Sequence, residues 1–169
     1  MIRNTLLALG LALGAASAAT AQTAPPTPPP PPAKGPSAAL ALEAAQAALA
    51  TCTTNGYKVS VSVLDAAGVP KVLLAADGVR AMGVTSSTKK ALATIAYKKS
   101  TADLAEMAKS DTDLAAKLAA DTTVMARAGA QPLFSGGELI GAVGVGGAPG
   151  GDKDDVCAMA AVAKIKDRL

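Results

Sequence analysis

Between Tyr57 and Leu64 the chain alternates strictly. Tyr57, Val59, Val61 and Val63 fall on one side, and Lys58, Ser60 and Ser62 on the other. A period of two predicts a strand with one buried face. Asp65-Ala66-Ala67-Gly68 has turn chemistry, and Val69 to Ala75 returns as a second strand. Pro70 stands near its start, where a missing N–H is tolerated. A second hairpin lies near the C-terminus: Gln131 to Ser135, the two-residue turn Gly136-Gly137, then Glu138 to Val145.

Around these hairpins the period changes to that of a helix. Ser37 caps a helix from Ala38 to Thr53, with Leu40, Ala44, Ala47, Ala48 and Thr51 on one face. Asn55-Gly56 stops it, since either residue takes the left-handed conformation of a helix end. Asp77-Gly78 breaks the second strand, and a helix from Arg80 to Lys99 follows. Its apolar stripe reads Ala81, Thr85, Thr88, Leu92, Ile95, with Lys98 and Lys99 at the negative end of its dipole. Ser100 and Asp103 form a capping-box-like start for a short helix to Lys109, and Asp111 starts another to Ala120. Gly146 to Gly151 is a bend, after which Asp152, Asp154 and Asp155 open the last helix, running to Asp167. Helix, hairpin, helices, hairpin, helix implies an α/β layered (α+β) domain: an antiparallel sheet of about four to five strands flanked by helices.

The N-terminus does not belong to that domain. A short basic start is followed by an apolar run, Leu6 to Ala16, and the A-x-A site Ala19-Thr20-Ala21. This is a secretory signal pattern, and the run is too short to span a bilayer. The expectation is a signal peptide over 1–21, a secreted or periplasmic product, and no membrane span after cleavage. Residues 22–37 carry the run Pro28 to Pro32, which adopts extended polyproline II and serves as a stiff spacer. The domain is then 38–169. Its core must be built from Ala, Val, Leu and Ile, because the chain has no Trp, one Phe and two Tyr.

Removal of Arg3 with the signal takes the formal charge from +3 to +2. Without basic stripes or stacking aromatics, nucleic-acid binding is not expected. The two cysteines, Cys52 and Cys157, meet an oxidising compartment after export, where they either form one disulfide or remain two buried thiols. The chain contains no histidine. That excludes Ser-His-Asp and Cys-His chemistry and histidine-ligated zinc or heme. No phosphate-binding loop is present, and Pro149 takes the place of the third glycine in GxGxxG. The acidic start of the last helix is accounted for by the helix dipole without a metal. Besides lysine and cysteine, Tyr57 and the five methionines are the only side chains left that could ligate heme iron, and Met82 is the best-placed of them.

Three segments together resemble the GlcG/HbpS-like heme-binding protein family. They are the strand–turn–strand from Val59 to Gly78 ending in Asp-Gly, the helix through Lys89-Lys90-Ala91-Leu92-Ala93-Thr94, and GGELIGAVGVGGAPGGDKDDVCA from Gly136 to Ala158. The resemblance covers most of Ala38 to Leu169. It implies a profilin-like fold, assembly into a homo-oligomer, and a small-molecule ligand such as heme or a related tetrapyrrole. Matched positions are Asp65, Asp77, Gly78, Lys90, Gly141, Gly144, Gly147 and Asp154. Gly146 departs from the family's usual serine, and Ala75-Ala76 from a frequent Arg-Met pair. The candidate cofactor-binding set is Asp65, Asp77, Gly78, Arg80, Met82, Lys90, Gly144, Gly146, Gly147 and Asp154, with Lys90 or Arg80 pairing with propionates. Two other classes stay open: an assembly protein without cofactor, and an enzyme using Asp65, Asp77 and Lys90 as acid–base groups.

Overall fold

A computed structural model describes residues 32–169; the predicted signal peptide and most of the proline run lie outside the described residues. Four strands, β1 (Ser60–Asp65), β2 (Pro70–Ala75), β3 (Ala130–Ser135) and β4 (Glu138–Gly146), form one antiparallel sheet in the order β2-β1-β4-β3. Helices α1 (Ala38–Thr54) and α5 (Gly151–Ile165) pack on one face, and α2 (Ala81–Tyr97) on the other. Helices α3 (Thr101–Met107) and α4 (Thr112–Ala120) lie in the connection from α2 to β3. The α+β architecture is as expected, with element ends shifted by a few residues. The predicted local chemistry is present too. Ser37 Oγ accepts from the Leu40 amide, Ser100 Oγ from the Asp103 amide, and both turn glycines, Gly136 and Gly137, have positive φ.

The alternation in β1 carries a different meaning from the one expected. All six residues of the strand are buried, because it is central and covered on both faces. Val61 and Val63, with Val143 and Val145 of β4, meet the alanines of α1 and α5, including Ala41, Ala44, Ala48 and Ala158. Ser60 and Ser62 face α2 instead of water. Ser62 Oγ lies 2.9 Å from Ser87 Oγ and 2.8 Å from Thr88 Oγ1, so the buried hydroxyls satisfy one another. As far as Ser62 the two sides of the strand therefore separate large from small, not inside from outside; beyond it Leu64 packs on Ala91 of α2.

The α2 layer is built for close approach. A Cβ on Gly144 would sit 2.1 Å from the Ser87 carbonyl oxygen, and one on Gly146 would sit 2.1 Å from Ser86 Oγ. Helix backbone thus rests nearly on strand backbone. The stripe predicted for this helix is displaced: Ala81 and Thr85 are exposed, while Gly83, Ser86, Ser87, Lys90, Ala91, Ala93 and Thr94 are buried. Hydrophobicity did not mark this face because small residues, not greasy ones, fit against a glycine strand. The α2 layer does not extend over β2, whose Leu73 is paired with Ser62 yet 52% exposed.

Two connections close the fold. The last residues of the predicted spacer lie against the domain: Lys34 O accepts from the Ala66 amide at 2.9 Å, and Pro36 is buried. Of the two readings left open for the cysteines, the bridge is the one found. Cys52 on α1 and Cys157 on α5 are joined, with Cα atoms 5.7 Å apart and both side chains fully buried. Among the described residues no helix is long and apolar enough to cross a membrane.

The bridge spans 105 residues. Its reduction is therefore expected to lower the unfolding free energy by about 4 kcal/mol, read as the difference between urea curves with and without reductant. Gly144→Ala forces helix and strand apart and is expected to cost about 2 kcal/mol or more, against under about 0.5 kcal/mol for Ser110→Ala on the surface. A Gly144→Ala protein as stable as the wild type would refute the close-packing account.

Candidate functional site

Lys90 sits mid-helix on the face of α2 that meets the sheet, with a side chain only 2% exposed. Its ammonium cannot reach water, so it must find acceptors inside. Nζ donates to the Val145 carbonyl at 3.0 Å and to Asp154 Oδ2 at 2.6 Å. Asp154 Oδ1 in turn accepts from the Ala148 amide at 3.0 Å. One buried ion pair thereby joins α2, the end of β4, the bend after it and the first turn of α5. Gly129, at φ +129°, covers the pair; a Cβ there would lie 2.6 Å from the ammonium and 2.7 Å from Asp154 Cβ.

The three aspartates of α5, which the sequence presented as one dipole-stabilising group, have separate roles. Asp154 is the buried ion. Asp155 Oδ1 accepts from the Gly129 amide at 3.2 Å and from Gln131 Nε2 at 2.9 Å, fixing the entry to β3. Asp152 stays at the surface beside Lys153. Burial pushes the Lys90 ammonium below the usual lysine range, against the opposing hydrogen bond and charge of Asp154. Burial likewise pushes the Asp154 carboxyl up, against the pull of Lys90. Each charge is costly in this place, and each is tolerable only beside the other.

Above the pair opens a groove of about 250 Å³. Arg80, Met82, Gly83 and Ser86 line it from the start of α2, Met125 and Arg127 from the loop before β3, and Gly147, Ala148 and Gly151 from the bend and α5; Lys90 and Asp154 complete it. Lys90 and Asp154 cancel in charge. Arg80 and Arg127 have no carboxylate partner among the described residues, so the groove is net positive. Its remaining surface is largely thioether and backbone, and Met82 is 69% exposed.

Five of the sequence candidates meet here: Arg80, Met82, Lys90, Gly147 and Asp154. The others do not. Gly144 and Gly146 lie beneath α2 as packing glycines. Asp65 is at the far end of β1, where its Oδ1 accepts from the Ala67 and Val69 amides at 2.9 Å each. Asp77 and Gly78 form the exposed turn after β2, Gly78 with φ +75° beside the Lys58 side chain. Tyr57 packs on the α1/α5 core. The acid–base trio Asp65, Asp77 and Lys90 is therefore not a constellation. Sequence reasoning missed Arg127 and counted Met125 only as one of the five methionines; both stand in a segment without periodicity, and an arginine two residues before a glycine and a strand was the only sign of the first. A larger hollow of about 660 Å³ at the opposite end of α2 and β4, lined by Ile95, Phe134 and the Gly136-Gly137 turn, gathers none of the candidates. Among the described residues no cluster of acidic or cysteine side chains offers a metal site.

If the pair is a clamp, removing one ion strands the other. Lys90→Met is expected to cost about 3–5 kcal/mol in urea unfolding, and Lys90→Met with Asp154→Leu to recover a large part of that loss. A double variant losing the sum of the single losses would contradict coupling.

No curated protein sequence matches this chain. Among solved structures, a double mutant of Streptomyces reticuli HbpS is 28% identical, covering 90% of this chain and 97% of its own, with a TM-score of 0.71. The PduOC:heme complex, at 23% identity, covers 78% of this chain and 95% of its own with the same TM-score of 0.71. Klebsiella pneumoniae ORFY, at 20% identity, covers 86% of this chain and 99% of its own with a TM-score of 0.73; these last two likenesses concern the fold. The family model described as "Haem degrading protein HbpS-like" matches residues 37–163, which contain the whole sheet and every residue of the groove. This chain belongs to the HbpS-like family.

Proposed function

We propose that the protein is an exported binding protein for heme or a related tetrapyrrole, held in the groove above Lys90 and Asp154 without histidine. The observation carrying this reading is the convergence of two methionines and two arginines, without a carboxylate partner among the described residues, on one cleft of an HbpS-like chain. The PduOC relative, crystallised as a heme complex on the same fold, supports the ligand class. Arg80 and Arg127 fit the propionates, since guanidinium matches carboxylate in charge and in planar geometry. Met82 and Met125 offer polarizable apolar contact to a flat ring. Lys90, assigned to the propionates from sequence, is committed to Asp154 and acts as a positioning residue. Export rests on the pattern of Met1 to Ala21.

At about 250 Å³ the groove is smaller than sites that enclose a drug-sized ligand, roughly 300–1,000 Å³. It takes one edge of a macrocycle and leaves the rest to be covered. We assign the cover to a second copy of the chain, which makes the functional form a homo-oligomer. Exposed Val69 just before β2 and Leu73 on its uncovered side, with Val156 and Met159 on α5, supply apolar surface for association. The same surface favours the second reading, an assembly protein whose oligomer forms without a ligand.

Hemin titration of the purified mature protein separates the two. Saturable development of a shifted Soret band at micromolar hemin, with an oligomer by light scattering, is expected of the first reading. An oligomer with no saturable Soret change would leave assembly as the function.

A further inference from the structure

The groove fits one part of a tetrapyrrole and not another. Iron is held in proteins by strong axial ligands such as imidazole, thiolate or phenolate. The chain has no histidine, and both cysteines are spent on the disulfide. Neither tyrosine lines the groove. The one amine there, Lys90, is buried and already donates to Asp154 and Val145. That leaves the thioethers of Met82 and Met125, neutral ligands that give little of the charge or basicity that fixes ferric iron. Arg80 and Arg127, by contrast, bring two permanent positive charges with no partner among the described residues.

We infer that the groove recognises the paired carboxylates of a tetrapyrrole and not its metal, so that iron-free porphyrin binds as tightly as hemin. The inference rests on the tetrapyrrole reading above and goes beyond it by naming what is recognised. Geometry supports it at the floor of the groove. Because the Lys90–Asp154 pair is internally neutral, the carboxylate of Asp154 does not repel an incoming anion, and the field at the mouth is set by the two arginines. The Arg127 side chain passes beside the first turn of α5, its Cγ 3.2 Å from where a Cβ on Gly151 would stand.

The test compares hemin, protoporphyrin IX and protoporphyrin IX dimethyl ester on the mature protein, read from each ligand's own Soret band because the chain has no tryptophan. Dissociation constants for hemin and protoporphyrin IX are expected to agree within about threefold, and the diester to bind about tenfold or more weakly. Arg80→Gln/Arg127→Gln is expected to weaken both diacids by about tenfold or more at an unchanged unfolding midpoint. Met82→Ala/Met125→Ala is expected to change both equally. Protoporphyrin IX binding more than about tenfold weaker than hemin overturns the inference while leaving the tetrapyrrole reading intact. So does a diester as tight as the diacid, or an arginine double variant that binds normally. Absence of binding by every porphyrin overturns both.

Discussion

The bond between Lys90 and Asp154 holds together the end of the molecule that carries the groove. Removing two charges from water is expensive, and their attraction compensates only when geometry is good and the remaining hydrogen-bonding groups are satisfied. Here they are: the ammonium also meets the Val145 carbonyl, and the second carboxylate oxygen meets the Ala148 amide. A hydrophobic pair of similar volume would fill the space, but it would not define where the bend after β4 stops and α5 begins. The pair fixes that junction, and the groove is the concavity left on its outer side. Gly129 follows from the same constraint, since any side chain there would occupy the position of the ammonium.

Around the pair, the sheet separates two kinds of packing. Toward α1 and α5, valines meet alanines in an ordinary apolar layer, tied across by the disulfide. Toward α2, glycines and serines let backbone approach backbone, which buries little apolar area but brings the base of Lys90 close enough to β4 for its ammonium to reach Val145. The thinness of this layer is a condition for the buried charge. A thicker one would carry Lys90 away from Val145 and Asp154.

Much of the fold was legible from the sequence because its strands, turns and caps obey local rules. Ser37, Asn55-Gly56, Ser100 and Gly136-Gly137 behave as their chemistry predicts. Where the reading failed, the cause was tertiary. Ser60 and Ser62 look solvent-facing in a chain pattern, and only the serine-bearing face of α2 explains why they are inside. The α2 stripe was misplaced for the same reason. In the site, Arg80, Met82, Lys90, Gly147 and Asp154 converge, while Asp65 and Asp77 turn out to belong to turns. A motif match reports which positions are constrained and does not say whether by ligand or by backbone. Arg127, and the place of Met125, were invisible because loop residues have no period to mark their direction; both are set by α5 and α2, far away in sequence.

The central claim is that the buried pair holds the groove-bearing end as a local clamp, separate from the disulfide-tied layer. Amide hydrogen exchange on wild type and Asp154→Asn, resolved by peptide, tests it most directly. The account predicts that protection falls selectively in the bend from Gly146 to Gly151 and around Gly129, while α1 and the first half of β1 exchange as before. Unchanged protection in the bend, or a uniform loss across the whole domain, would contradict it.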